Sequence, residues 1–268
     1  MNKIIYYYQT FTGLLPILNS KQITVTHIYI SSIHFGINKD KSLYIHLNDN
    51  PPDDSKFNTL WNECKLVSNK GITIMLMMGG AGGAYNTLFS NFENYYKMLK
   101  NTIIKYNIKG IDLDVEEETK LSNIKLLINR LDSDFGKDFI ITMAPVGNSL
   151  IFDSTGLGGF SYKDLYNSKE GKRINWFNGQ FYYMYNEKYF KQAVSNGYPA
   201  NKIVFGMIAS EFSKSTFPNA LQTISNIKKT YNNFGGVFVW EYYYAPPLGS
   251  KNPNEWSKEI YNTINKTK

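Results

Sequence analysis

Three acidic residues alternate with aliphatic ones in the segment from Lys109 to Glu118. Asp112, Asp114 and Glu116 occupy every second position there. On a β-strand this period places the three carboxyl groups on one face, about 6.6 Å apart, and the aliphatic side chains on the other. Burial and like-charge repulsion then raise the pKa of at least one carboxyl. A carboxyl that stays protonated near neutral pH can serve as a general acid.

A solvated strand end and a Mg²⁺ or Ca²⁺ site are two other uses of such a row of acids. Solvation accounts for Glu117 and Glu118, since acidic residues favour the start of a following helix. It accounts poorly for Asp112, which lies deep in the predicted strand. The residues alone leave the metal alternative open.

Two other predicted strands end in groups that suit a sugar ligand. Gln180 and Tyr182 share one strand face and could form hydrogen bonds with an amide or a hydroxyl group. Trp240 ends the last predicted strand and offers a flat apolar surface for a sugar ring. Core packing is an equal alternative for Tyr182 and Trp240 on these grounds.

Short β-branched or aromatic runs alternate with helical patterns along the chain. Helices are predicted over Tyr85–Lys105 and Leu121–Leu131, where apolar residues recur at three- and four-residue steps. Repeated strand–helix units imply parallel strands that are joined by right-handed crossovers. The eight predicted strands are Lys3–Gln9, Val25–Phe35, Thr73–Met78, Lys109–Asp114, Phe139–Ala144, Trp176–Tyr182, Lys202–Met207 and Gly236–Trp240.

Eight such units in 268 residues predict an α/β fold, a single-domain (β/α)8 TIM barrel over residues 1–268 without a separate carbohydrate-binding module. The alternative is an open doubly wound sheet, which as a dinucleotide fold should carry G-x-G-x-x-G straight after its first strand. The glycine-rich segment Met78–Ala84 follows the third strand and lacks that spacing. Barrel active sites lie at the carboxyl ends of the strands, so the acids should line the interior with Glu116 nearest the mouth.

Composition excludes several classes of function. The formal net charge is +7, but Arg130 and Arg173 are the only arginines and the lysines are scattered, so we predict no nucleic-acid partner. Cys64 is the single cysteine, which excludes an intrachain disulfide, and the histidines lack zinc-motif spacing. No apolar run approaches the roughly 20 residues of a membrane span, so we predict no membrane partner. We also expect a monomer. The first residues suit a strand and not a signal peptide, so the chain as written should be cytoplasmic unless it is a processed form.

These motifs resemble glycoside hydrolase family 18, which contains chitinases and endo-β-N-acetylglucosaminidases. The family signature D-G-x-D-x-D-x-E on the fourth barrel strand is matched over Gly110–Glu116, with Lys109 in place of the leading Asp. The family's S-x-G-G on the third strand is matched with Met77 in place of Ser, and Gly79 and Gly80 are kept. We therefore include both glycines among the substrate-binding residues, because they allow close backbone approach.

The resemblance is strongest to the compact fungal-type chitinases of that family and spans nearly the whole chain, from Lys3 to about Tyr244. The matching segments are Tyr7–Thr10, Ile45–Asp54, Gly156–Tyr162, Asn178–Tyr182 and Gly235–Tyr242.

The resemblance implies a retaining, substrate-assisted endo-glycosidase that hydrolyses β-1,4 linkages between N-acetylglucosamine units, with chitin or chitooligosaccharides as the first choice. It implies that Glu116 is the general acid, that Asp114 binds the acetamido N–H of the sugar, and that Asp112 shares a proton or hydrogen bond with Asp114. Tyr182 would bind the acetamido group and Trp240 would form the floor under the sugar.

Tyr7 and Gln180 are further predicted lining residues of the pocket. No metal or organic cofactor is needed, because the substrate's own acetamido group supplies the nucleophile. An endo-β-N-acetylglucosaminidase that acts on the chitobiose core of N-glycans is the alternative enzyme. A non-catalytic, chitinase-like sugar-binding protein is the alternative from another class, although such relatives usually lose the acid that Glu116 supplies here.

Overall fold

Parallel strands pair side by side around the molecule until the last one meets the first. The computed structural model describes residues 2–265. Strand β1 pairs in parallel with both β2 and β9, and this closes the sheet into a barrel. The strands are β1 (Lys3–Tyr8), β2 (His27–Ile37), β3 (Leu43–Leu47), β4 (Thr73–Gly79), β5 (Gly110–Asp114), β6 (Ile140–Met143), β7 (Trp176–Gln180), β8 (Ile203–Ile208) and β9 (Gly236–Trp240). The predicted (β/α)8 barrel is confirmed, and each of the eight predicted strands ends within two residues of its observed bounds.

Strand β3 is an addition that the sequence did not predict. It lies outside the barrel and pairs antiparallel with the distal half of β2, from Ile33 opposite Leu47 to Ile37 opposite Leu43. We call this pair the β2–β3 hairpin. Leu43–His46 are only partly buried, so the strand lacks the continuous apolar run of a barrel strand.

Helices lie between the barrel strands. They are α1 (Leu15–Leu18), α2 (Asn58–Asn69), α3 (Tyr85–Ser90), α4 (Phe92–Lys105), α5 (Leu121–Phe135), α6 (Gly147–Ile151), α7 (Tyr162–Asn167), α8 (Glu187–Ser195), α9 (Phe217–Thr230) and α10 (Asn254–Asn265). Within residues 2–265, none of them combines the length and the apolarity that a membrane-spanning helix needs.

The predicted single helix over Tyr85–Lys105 is wrong, because the chain breaks at Asn91. That residue has φ −151° and ψ 62°, which no helix contains, and its side chain accepts a hydrogen bond from Asn94 at 2.9 Å. Asparagine has a lower helix propensity than alanine or leucine, so a helix breaks more readily at such a residue. The predicted helix Leu121–Leu131 is present and continues to Phe135, where Gly136 at φ 74° ends it.

Side chains alternate between two apolar cores along each barrel strand. On β1, Ile4, Tyr6 and Tyr8 pack outward against the helices, whereas Ile5 and Tyr7 point into the barrel. The inner core is unusually aromatic, and its amino-terminal end is closed by Trp176, whose ring lies 4.4 Å from the Lys3 ammonium. The inner core consists of Ile5, Tyr7, Tyr29, Met75, Met77, Trp176, Val204 and Phe238.

Candidate active site

Asp112 lies inside the barrel and is fully buried. Three side chains on other strands donate hydrogen bonds to its carboxylate. They are the Tyr7 hydroxyl at 2.7 Å, the Thr142 hydroxyl at 2.5 Å and the Asn178 amide at 2.9 Å. Burial raises the pKa of Asp112 to about 6, and the three hydrogen bonds oppose that rise because they favour the charged form.

Asp114 is the next inward-facing residue of β5 and is only 6% exposed. Burial first, and then the negative charges of Glu116 and Asp112, hold the pKa of Asp114 well above its usual value. The alternation in this segment predicts that at least one of its carboxyls has a raised pKa. The shift falls on Asp114 and Asp112, the two acids inside the strand.

Gln180 joins the two outer acids of the row. Its side-chain amide nitrogen lies 3.1 Å from Asp114 Oδ1, 3.2 Å from Glu116 Oε1 and 2.8 Å from the Ala144 carbonyl oxygen. The backbone N–H of Gln180 also donates to the Pro145 carbonyl at 2.8 Å, which fixes the end of β7 against the segment that follows β6. Gln180 therefore holds both carboxylates in fixed positions from β7, which is separated from β5 by β6 alone.

These groups open into a cavity of about 300 Å³ at the carboxyl ends of the strands. Asp114 and Glu116 are the carboxylates on its wall among the described residues, and Asp112 lies one layer below them. The cavity is lined by Gln9, Ser32, His34, Met77, Gly79, Gly80, Ala81, Gly82, Asp114, Glu116, Gln180, Tyr182, Ile208 and Trp240.

The glycines after β4 allow the chain to pass close to β5. Gly79 has φ 95°, and a Cβ atom there would overlap the Asp114 carbonyl oxygen and come within 2.7 Å of the Tyr85 ring. Gly80 has φ 79°, and its N–H donates to the same carbonyl at 2.9 Å. Both positions need glycine, because other residues rarely adopt a positive φ.

Glu117 fixes the other end of this turn. Its carboxylate accepts the backbone N–H groups of Ala84 and Tyr85 at 2.5 Å, at the start of α3. An acidic side chain suits the positive end of a helix. The expectation that Glu117 is a solvated residue at the start of the next helix is therefore corrected, since it anchors the preceding helix beside the acid row.

Tyr182 and Trp240 both stand on the cavity wall. The Tyr182 phenol is held protonated, because burial and the nearby charge of Asp114 raise its pKa well above the usual value. It can therefore donate a hydrogen bond to an acceptor in the cavity. The Trp240 ring packs on the Tyr7 ring, with 5.5 Å between the ring centroids, and part of the indole is exposed to the cavity.

Tyr7 lies deeper than we predicted for a lining residue. Its ring is 2% exposed, and its hydroxyl group is used on Asp112. The sequence also missed several lining residues, among them Gln9, His34 and Ile208. Gln9 could have been found by the rule that selected Gln180, since both lie at the carboxyl end of a barrel strand. The same rule could have selected His34, which lies one residue from the end of the predicted strand Val25–Phe35.

A second cavity of about 590 Å³ lies beyond Trp240. It shares Gln9, Ile208 and Trp240 with the first cavity, so the two cavities adjoin at the indole ring. Tyr244, which is 62% exposed, stands on the far wall.

Residues 2–265 contain no group of three or more His, Cys, Asp or Glu side chains arranged to hold a metal ion. Asp112, the deepest acid of the row, receives hydrogen bonds from Tyr7, Thr142 and Asn178.

Comparisons with known proteins place the chain beside glycoside hydrolases. A fungal endo-β-N-acetylglucosaminidase of glycosyl hydrolase family 18 is 35% identical, with a TM-score of 0.89 over 99% of each chain. Chitinase ChiC from Aspergillus fumigatus is 32% identical, with a TM-score of 0.83 over 98% of this chain and 100% of its own. Xylanase inhibitor protein XIP from Oryza sativa subsp. japonica is 23% identical over 212 residues, which is 70% of this chain and 69% of its own. No sequence model of a known family matches.

The fold and the acid row define a barrel of the glycoside hydrolase class. The chain belongs to glycosyl hydrolase family 18, because relatives at 35% and 32% identity match it over nearly their whole length. The resemblance found in the sequence is thereby confirmed. Membership supports a glycosidase that acts on substrates containing N-acetylglucosamine.

Proposed function

We propose that the protein is a retaining, substrate-assisted endo-glycosidase that hydrolyses β-1,4 linkages between N-acetylglucosamine units, with chitin or chitooligosaccharides as substrate. The observation that carries this proposal is the pair Asp114 and Glu116 at the floor of an open cleft, held by one amide of Gln180. The described wall of the first cavity offers no further carboxylate as a nucleophile, and Glu241 on the wall of the second accepts hydrogen bonds from Gln9 and Thr10. A substrate that carries its own acetamido group does not need one.

In the proposed reaction, Glu116 gives its proton to the glycosidic oxygen as that oxygen leaves the anomeric carbon. The carbonyl oxygen of the sugar's 2-acetamido group forms a new bond to that carbon from the opposite face, which gives an oxazolinium intermediate. Water then attacks the anomeric carbon, the bond from that carbon to the acetamido oxygen breaks, and the water gives a proton to Glu116, so that the configuration is retained.

Asp114 accepts a hydrogen bond from the acetamido N–H and stabilises the positive charge that develops on the ring. Asp112, below it, shares a proton or hydrogen bond with Asp114. Tyr182 donates its phenolic hydrogen to the acetamido oxygen, since its raised pKa keeps it protonated. Trp240 supports the apolar face of the sugar at the cleavage site.

Endo action is supported by the second cavity, which adjoins the first at Trp240. A second cavity shares three wall residues with the first, so a chain can extend on both sides of the indole ring. A site that accepted chain ends alone would be closed on one side.

The key test replaces Glu116 by Gln. We expect Glu116→Gln to lower the rate of chitooligosaccharide hydrolysis by at least about 100-fold, because a positioned general acid contributes about 10²–10⁴, while the fold is kept. Glu118→Gln is the matched control, since Glu118 is an exposed acid in the same segment. Product chromatography measures both, and equal activity in Glu116→Gln and wild type would refute the assignment.

The similarity to a fungal endo-β-N-acetylglucosaminidase favours a second candidate, cleavage within the chitobiose core of N-glycans. Chitin oligomers and a high-mannose glycoprotein should be offered side by side, with product analysis by mass spectrometry. Cleaved oligomers with an intact glycoprotein support the chitinase; a glycoprotein left with one N-acetylglucosamine on its asparagine supports the second candidate. Binding without cleavage of either would mean a sugar-binding protein, the third alternative.

A further inference from the structure

His34 stands on the wall of the active-site cavity and has no role in the proposed reaction. It lies on β2 at the start of the β2–β3 hairpin, is half-buried, and faces the glycine turn that follows β4. The hairpin itself is tied to β1 by Asn48, whose side chain donates to the Gln9 carbonyl at 3.1 Å and accepts the Ser32 N–H at 3.1 Å.

One hydrogen bond fixes the tautomer of the His34 ring. Its Nδ1 lies 2.7 Å from the Gly83 carbonyl oxygen. A carbonyl oxygen can only accept, so Nδ1 must carry the hydrogen. In the neutral imidazole the other nitrogen, Nε2, then holds a free lone pair and is a hydrogen-bond acceptor.

The ring is also packed in place. A Cβ atom at Gly82 would come within 2.8 Å of His34 Cε1 and 3.5 Å of Nε2, so the glycine backbone lies directly against the imidazole edge. Contacts with Gly82 and Gly83 hold the ring before any ligand arrives. A group fixed in this way loses little conformational freedom when it binds.

We propose that His34 is a substrate-binding residue whose Nε2 accepts a hydrogen bond from a hydroxyl or acetamido N–H of the sugar unit that lies against the Gly80–Gly82 turn. This inference rests on the proposed function. A sugar presents many O–H and N–H donors, and an acceptor on a fixed ring selects among them by position. The wall residues Met77 and Ile208 have no comparable acceptor.

The test uses binding, not turnover, in the Glu116→Gln background. His34→Asn keeps a donor for the Gly83 carbonyl, because the Asn amide can take the place of Nδ1–H, but it has no atom at Nε2. We expect the Kd for a chitin tetramer, measured by titration calorimetry, to rise about 3- to 10-fold, the usual range for one lost neutral hydrogen bond.

His46→Asn is the matched control. His46 lies directly opposite His34 on β3 and is not part of the cavity wall, so its Kd should stay within about twofold of the parent. His34→Phe retains a ring of similar size without either nitrogen, and should weaken binding at least as much as His34→Asn. Melting temperatures check that all variants fold.

If the Glu116→Gln parent binds the tetramer and the Kd is unchanged in both His34→Asn and His34→Phe, the proposed role of His34 is overturned and the proposed function is not. Should the Glu116→Gln parent bind neither the chitin tetramer nor a high-mannose glycan, the proposed function and this inference fall together.

Discussion

Asp112 has three hydrogen-bond donors for its carboxylate, yet its ionised form is unfavourable in the folded protein. Its three hydrogen-bond donors stabilise the charged form, yet complete burial outweighs them and raises its pKa to about 6. A carboxyl whose pKa is higher in the folded than in the unfolded chain stabilises the fold only while it is protonated. Ionisation of Asp112 therefore costs stability at neutral pH.

We predict that the free energy of unfolding of Asp112→Asn, relative to that of wild type, increases as the pH rises. The stability that the protonated acid contributes is complete below about pH 4 and is lost as the pH rises through 6. At pH 8 the difference should reach at most about 3 kcal/mol, since each pKa unit corresponds to 1.36 kcal/mol. Urea unfolding at pH 4.5 and pH 8 measures this effect.

The exposed aspartate Asp138 supplies the control for this comparison. Asp138→Asn should change the free energy of unfolding little at either pH. A stability gain in Asp112→Asn that is the same at both pH values would contradict the prediction.

The residue-level chemistry could be predicted where it depends on one strand and not where it depends on several. Alternation along β5 suffices to place Asp112, Asp114 and Glu116 on one face. That Tyr7 bonds to Asp112, and that Gln180 bridges the two outer acids, depends on how strands far apart in sequence meet across the barrel. No local pattern encodes that relation.

At the scale of elements, the turn after β4 leads from the third barrel strand into α3 and contacts the end of the fourth barrel strand. Gly79 and Gly80 let it touch the end of β5, and Glu117 anchors its far end at α3. The turn and the acid row are thus held together by contacts at both ends.

Gly79→Ala tests this coupling. We expect the free energy of unfolding to fall by more than 2 kcal/mol, because the new methyl group adds an overlap with the Asp114 carbonyl to the strain of a positive φ, each costing about 1–3 kcal/mol. Activity should fall as the acids are displaced. Chemical unfolding and initial rates measure the two effects.

Gly71→Ala is the matched control, since Gly71 has φ 86° but no atom within 4 Å of its Cβ position. It should lose only about 1 kcal/mol through backbone strain. Equal losses in the two variants would show that the contact with Asp114 is unimportant.

Elements were predicted best where the apolar period is long and uninterrupted. The helix from Leu121 has such a period, and the barrel strands have continuous apolar runs. The break at Asn91 and the half-buried strand β3 lack a distinct apolar period. The break at Asn91 is a local backbone departure at a residue of low helix propensity, and strand β3 depends on pairing with β2.

At the scale of the whole molecule, the last helix secures the first strand. The Tyr6 hydroxyl donates to the Pro253 carbonyl at 2.7 Å and accepts the Ser257 N–H at 3.1 Å. Trp256 of α10 is fully buried, with its ring 4.9 Å from that of Tyr6. Because β1 pairs with both β2 and β9, this contact supports the closure of the barrel.

Trp256→Ala should lower the free energy of unfolding by about 3–5 kcal/mol, as large aromatic truncations in a core do. The kcat of molecules that remain folded should stay within about twofold of wild type, because Trp256 packs outside the barrel, away from the cavity. Urea titration and rates well below the melting temperature check these two expectations. A large loss of kcat at unchanged stability would contradict this separation of roles.

The filled base of the barrel also governs how the proposed reaction ends. Tyr7, Trp176 and Phe238 occupy the space beneath the acids, so solvent can reach the intermediate only through the mouth by which the leaving sugar departs. A second saccharide seated there competes with solvent for the same carbon. The ratio of hydrolysis to sugar transfer then depends on how often a second saccharide occupies the mouth of the barrel.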